Sequence, residues 1–179
     1  MESETPRFAF LPCMAKASAS LIGHNTRGVS RAMSNDYPES IAELDLDAVQ
    51  ISPAILNAVK RFASSKPYRG STRRRIQKFS RAIHDICDAA GVERPRLLFV
   101  PDETQDSGQS ACIPAIRTII LRGRLSVITS LHEVSHLLNG PSEYVACAWS
   151  LRLFRDCFPR SWSRLRFDGH VAVVTRDDT

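Results

Sequence analysis

Two histidines separated by three residues carry the strongest chemical signal in this sequence. They lie in the stretch LHEVSHLLNGPSEYVA, at His132 and His136. On a helix, residues four apart lie one above the other on the same face, so both imidazoles can reach one Zn²⁺ at about 2.0–2.1 Å. Glu133 is rotated by about 100° from His132, where it borders the metal without ligating it and can take a proton from metal-bound water. The HExxH pattern therefore predicts a zinc site with Glu133 as general base.

The same pattern can also arise without a metal. An HExxH sequence occurs by chance in roughly one chain in a few hundred at background composition. Ser130 and Glu133 are spaced as a capping box, which would give Glu133 a purely structural role at a helix start. Val127 and Ile128 continue the apolar pattern upstream, however, so we expect the helix to begin near Ser126. Buried imidazole nitrogens also need polar partners, and one zinc ion would satisfy both histidines.

A catalytic zinc usually has three protein ligands and one open position, so a third ligand is needed. Glu143 is the best candidate, because Gly140-Pro141 reverses the chain and brings the next helix start near His136. The alternative is that Glu143 only favours the positive end of a helix dipole. His170, in the sequence FDGH, is the main competitor for the third ligand position.

These residues resemble the zincin metallopeptidases, and more narrowly their gluzincin branch. In that branch HExxH supplies two histidine ligands and the general base, and a later helix supplies a glutamate, often as ExxA. The resemblance implies that His132, His136 and Glu143 bind zinc, that Glu133 is the base, and that Ala146 lets the second helix approach. It implies hydrolysis of peptide bonds in a peptide or protein substrate.

The resemblance extends from about Ile113 to Phe158, under a third of the chain. The gap between His136 and Glu143 is far shorter than in large gluzincins, which leaves open the SprT-like pattern with a histidine as third ligand. In these families a strand ahead of the active helix lies at the sheet edge and holds the substrate. Arg117 to Leu121 occupies that place here, and we expect its edge to accept a peptide as an added strand.

The elements that must position these residues follow from periodicity and turn signals. The expected fold is α+β and zincin-like: a small, mostly antiparallel sheet packed with helices, one of which carries HExxH. In the first half of the chain we predict a helical pattern from near Pro38 that restarts at Pro53, and a helix from Ser71 or Thr72 to Gly91. A strand over Leu97–Val100 and a hairpin with arms at 110–113 and 117–121 are expected to follow. The last predicted elements are helices over about 126–139 and 142–157 and a weak strand in the tail.

Composition limits the remaining possibilities. The chain has 179 residues, of which 43% are hydrophobic and 24% charged, as is typical of a soluble globular protein. Five cysteines without CxxC spacing argue against a disulfide framework and indicate a cytoplasmic location. We find neither an export signal nor an apolar run long enough to span a membrane. We expect residues 1–37 to be poorly ordered and residues 38–179 to form a single zincin-like metallopeptidase domain.

Two alternatives to a peptidase remain open. One is a non-catalytic, zinc-stabilised zincin-like domain that binds a protein or nucleic-acid partner. The other is a basic nucleic-acid-binding protein that uses the Arg73–Arg81 helix and the Arg152–Arg166 segment, since the formal net charge is +5 and such binding would weaken steeply with salt. Weak association with nucleic acid is also compatible with peptidase activity.

Overall fold

The protein is an α+β structure, as a computed structural model shows. The structure describes residue 38 and residues 43–101, 109–168 and 171–174, with backbone only from Phe167 onward. The segment predicted to be poorly ordered, residues 1–37, lies outside the described residues. The described elements are α1 (Pro53–Ser64), α2 (Thr72–Ala89), β1 (Arg96–Val100), β2 (Ala111–Ile113), β3 (Thr118–Arg122), α3 (Val127–Asn139), α4 (Glu143–Cys157), α5 (Pro159–Trp162), β4 (Leu165–Asp168) and β5 (Val171–Val174).

The four longer helices all begin at a serine cap. The side-chain oxygens of Ser52, Ser71, Ser126 and Ser142 each accept a hydrogen bond from the backbone N–H three residues on. Such a cap satisfies one of the N–H groups that a helix start leaves without an intrahelical partner. The predicted boundaries of α2, α3 and α4 are confirmed to within two residues at each end.

The segment before α1 differs from the prediction. The sequence pattern predicts a helix from near Pro38, but residues 43–52 contain no α-helix. The Asp45 carboxylate instead accepts hydrogen bonds from the backbone N–H groups of Asp47 and Ala48. An aspartate that bonds the backbone two or three residues on favours a turn over a helix.

The main sheet has three strands in the order β1-β3-β2. β1 runs parallel to β3, with Arg96 opposite Thr118 and Val100 opposite Arg122. β2 is antiparallel to β3 across the short 3₁₀ turn at Pro114–Ile116, which confirms the predicted hairpin. The sheet is therefore mixed rather than mostly antiparallel, while β4 and β5 form a separate antiparallel pair.

The sheet order corrects the expectation for residues 117–121. The resemblance to zincins implies an edge strand here, but β3 is the central strand and is paired on both sides. A central strand has no free backbone edge to which a peptide can be added. Among the described strands of this sheet, β2 forms the edge on the side of the hairpin.

The core lies between α2, the sheet and the α3–α4 pair. Its largest fully buried side chains come from all of these elements, so the sheet and the helices share one apolar interior. α3 packs along α4, and Ala146 of α4 is fully buried. Within the described residues, no helix is both long and apolar enough to cross a membrane. The buried side chains include Phe79, Ile83, Ile86, Ile119, Val127, Leu131, Val134 and Leu153.

Candidate metal centre

The first two candidate ligands project from the interior of α3. Because α3 begins after Ser126, Ser130 lies one turn inside the helix, and its hydroxyl donates to the Ser126 carbonyl oxygen at 2.8 Å. The capping-box interpretation of Glu133 is therefore wrong. Glu133 is not at a helix start, and His132 and His136 occupy successive turns of one continuous helix.

The third candidate comes from the first residue of α4. The chain leaves α3 at Gly140, whose φ of 96° and ψ of −169° belong to a region that essentially only glycine adopts. Ser142 then caps α4, so Glu143 follows directly and faces the end of α3. The tight turn thus places a carboxylate beside two imidazoles.

The three side chains converge closely. The Nε2 atoms of His132 and His136 are 3.0 Å apart. The Glu143 carboxylate lies 3.1 Å from His132 Nε2 through one oxygen and 3.5 Å from His136 Nε2 through the other. Of the His, Cys, Asp and Glu side chains in the described residues, these are the only three that form a cluster able to hold a metal ion.

These separations suit a tetrahedral zinc site. Ligand atoms at about 2.0–2.1 Å from a tetrahedral zinc ion are about 3.3 Å from one another. The separation of 3.0 Å between the two Nε2 atoms is close to that value, and so are the carboxylate contacts of 3.1 and 3.5 Å, which involve different oxygens of Glu143. The donor set is one that zinc accepts, namely two imidazoles and a carboxylate, and three protein ligands leave a fourth coordination position for water or substrate.

The far side of each imidazole is also in contact with protein. His136 Nδ1 lies 3.2 Å from the carbonyl oxygen of Gly140, an acceptor that favours the proton on Nδ1. His132 Nδ1 lies 3.9 Å from the Sγ atom of Cys147 on α4. A hydrogen bond at Nδ1 leaves Nε2 as the ligating nitrogen and holds the ring in place.

The electrostatics of the cluster favour an ionised Glu143. Burial by itself would raise the pKa of Glu143, but hydrogen bonds from His132 and His136 outweigh burial and lower this pKa to about 2. For His136, burial works to lower the pKa, and the hydrogen bond to Glu143 more than offsets it, so the pKa is raised. At neutral pH the cluster thus presents an ionised carboxylate, and a metal ion would compete with a proton for Nε2 of His136.

Glu133 lies in a different environment. Its side chain is 2% exposed, and burial raises its pKa, with the neighbouring histidines working in the opposite direction. The backbone N–H of Cys112, in β2, donates a hydrogen bond to the carboxylate. The edge strand is therefore directly connected to the expected general base.

Some residues around this centre carry no signal in the sequence. Cys112 and Cys147 contact Glu133 and His132 from other elements, and neither belongs to a spacing motif. On α4, Trp149 lines a groove of about 340 Å³ that faces residues 45–50. His170, the competing third ligand, lies outside the described residues.

Comparison with known proteins leaves the chain without an assigned family. No protein-family model, curated protein or solved structure matches it.

Proposed function

We propose that this protein is a zinc-dependent metallopeptidase with His132, His136 and Glu143 as metal ligands and Glu133 as general base. The observation that supports the proposal best is the convergence of two Nε2 atoms and a carboxylate at separations of 3.0–3.5 Å. The four described cysteines are free thiols, in keeping with the cytoplasmic location expected for the enzyme.

The roles of the chain's own residues follow from their surroundings. A bound zinc ion would polarise the scissile carbonyl and bring the pKa of water towards about 7. Glu133 then accepts the proton and delivers it to the leaving amine. Its raised pKa suits this exchange, since a base works best when its pKa approaches the working pH.

The peptide is proposed to lie along β2, in place of the strand expected from sequence. β2 is an edge strand, and an extended peptide can add to such an edge through backbone hydrogen bonds. The Cys112 N–H already donates to Glu133, so a peptide added here would displace that hydrogen bond and would lie close to the base. β2 has only three residues, so we expect it to hold a short stretch of substrate.

Metal analysis of the purified protein tests the ligand set. We expect one zinc per chain in the wild type and loss of zinc in His132→Ala, His136→Ala and Glu143→Ala. His84→Ala is the matched control, because His84 lies on α2 and outside the cluster. His170→Ala tests the competing ligand. Equal zinc content in Glu143→Ala and the wild type would remove Glu143 from the centre.

Glu133→Gln separates an enzyme from a non-catalytic zinc-stabilised domain. The amide has nearly the same shape but cannot accept the proton, so the variant is expected to keep zinc and lose hydrolysis by about 10²–10⁴-fold. Cleavage is measured on denatured casein and on a mixture of fluorogenic peptides. A zinc-loaded wild type that cleaves neither substrate, or a Glu133→Gln variant that cleaves as well as the wild type, would contradict the peptidase proposal.

A further inference from the structure

The α1–α2 hairpin concentrates the positive charge of the molecule. The hairpin, residues 53–89, contains nine Lys and Arg residues and two acidic residues, Asp85 and Asp88, both near the end of α2. It therefore carries +7, whereas the other 142 residues together carry −2, out of a net charge of +5. The basic residues are Lys60, Arg61, Lys66, Arg69, Arg73, Arg74, Arg75, Lys78 and Arg81.

Most of these cations face solvent without an acidic neighbour. All except Arg75 and Lys78 are exposed. Within the described residues only Arg61 has an acidic partner, Asp85, at 3.9 Å. Lys78 is used inside the hairpin, where its Nζ donates to the carbonyl oxygens of Lys66 and Arg69 and fixes the turn. The hairpin thus presents a surface of largely uncompensated positive charge.

The positions of several of these charges destabilise α2, the helix that carries them. Arg73, Arg74 and Arg75 lie in the first turn of α2, which has no acidic residue. Cations at the N-terminus of a helix are repelled by its dipole. Arg74 and Lys78 are also four residues apart, a spacing at which like charges destabilise a helix. A bound polyanion would relieve both effects.

The second basic segment, Arg152–Arg166, differs in this respect. Arg155 binds the Asp47 carboxylate at 2.6 Å, and Arg152 binds Asp156 at 2.7 Å. These arginines attach α4 to the segment before α1, so their charge is largely neutralised within the protein. Of the two basic segments in the sequence, the hairpin therefore keeps more of its charge available to a partner.

We infer that the α1–α2 hairpin binds the phosphate backbone of a nucleic-acid duplex, independently of base sequence. A row of exposed Lys and Arg side chains supplies the contacts that dominate such binding. Among the large apolar side chains exposed in the described residues, only Tyr68 belongs to the hairpin, and its hydroxyl accepts a hydrogen bond from the Val127 N–H. Insertion into a bilayer needs several apolar side chains, and binding of a single strand needs successive stacking platforms.

Salt titration of binding to a labelled 30-base-pair DNA duplex tests this inference on the full chain. For the wild type we expect micromolar affinity at 50 mM salt and a plot of log K against log salt steeper than about −3. Arg73→Gln/Arg74→Gln is expected to weaken binding at least about tenfold and to reduce the slope by about 2. Glutamine has a helix propensity close to that of arginine, so α2 should remain folded.

Arg96→Gln/Arg160→Gln is the matched control. It removes the same charge from two exposed arginines outside the hairpin and is expected to leave affinity and slope close to the wild-type values. Equal losses in the two double variants, absence of duplex binding at 50 mM salt, or tighter binding to phosphatidylserine vesicles than to the duplex would each overturn the inference. The titration measures binding and not hydrolysis, so its outcome is independent of the proposed peptidase activity.

Discussion

The surroundings of the two glutamates in the candidate centre shift their pKa values in opposite directions. Glu143 has two imidazoles as hydrogen-bond donors, and its pKa falls to about 2 despite burial. Glu133 is nearly inaccessible, and burial raises its pKa. Carboxyl groups whose pKa values are moved apart can divide the roles of ligand and proton acceptor. At the residue scale, this division supports Glu143 as ligand and Glu133 as base.

The lowered pKa of Glu143 leads to a prediction for the metal-free protein. Its folded pKa of about 2 lies below the ordinary 4.5, so its stabilising contribution is fully present above pH 4.5 and is lost as the pH falls through about 2. We expect Glu143→Gln to lower the free energy of unfolding by on the order of 1–3 kcal/mol at pH 6. Chemical denaturation in the presence of a chelator measures this difference. A difference between the two proteins that does not shrink as the pH is lowered from 4.5 towards 2 would contradict the assignment.

The spacing of residues along the chain predicts the candidate ligands better than it predicts the residues that contact the centre from other elements. The helical period alone puts His132 and His136 on one face, and the Gly140-Pro141 turn keeps Glu143 within reach. Cys112 and Cys147 come from another strand and another helix. Their contacts depend on how elements pack in space, and no local pattern encodes that.

At the scale of elements, the turn between α3 and α4 fixes the centre. Gly140 ends α3, its carbonyl oxygen lies 3.2 Å from His136 Nδ1, and the chain that follows delivers Glu143. One glycine conformation thus determines both the position of the Glu143 carboxylate and the orientation of the His136 ring. Backbone strain introduced at this turn is therefore expected to weaken metal binding.

Gly140→Ala tests this coupling, with Gly91→Ala as the matched control. Both glycines have positive φ, 96° and 69°, and an added Cβ would meet no atom within 4 Å in either case. Each substitution should therefore destabilise through backbone strain alone, by about 1–3 kcal/mol. Only Gly140→Ala is expected to weaken zinc binding, by about 10–100-fold, the usual effect of losing an outer contact to a ligand. Competition with a chromogenic chelator measures both affinities, and equal zinc affinity in the two variants would exclude the coupling.

The order of strands could not be predicted from sequence at this scale. The hairpin of β2 and β3 is predictable because its arms are adjacent in the chain and flank a short turn. β1 pairs with β3 rather than with β2, its neighbour in sequence. Alternating hydrophobicity identifies strands but does not say which strands pair, and the edge expected at β3 came only from the resemblance to zincins.

At the scale of the whole molecule, the candidate centre belongs to the core rather than to a loop. α3 contributes Val127, Leu131 and Val134 to the main apolar cluster and His132 and His136 to the candidate metal centre. α4, packed along α3, brings both Glu143 and the buried Leu153. A ligand that binds such a centre binds only the folded chain, so its binding free energy adds to stability.

Zinc is therefore expected to raise the midpoint of thermal unfolding. At a free zinc concentration about 1,000 times the dissociation constant, binding to the folded state alone contributes about 4 kcal/mol. For a chain of this size, that corresponds to an increase of roughly 10 °C. Differential scanning calorimetry in zinc buffers, with and without a chelator, measures the shift, and His84→Ala should behave as the wild type does. His132→Ala/His136→Ala should lose the shift because it lacks both imidazole ligands. An equal shift in that variant would mean that zinc binds elsewhere, for instance at the cysteines, and the proposed centre would lose its support.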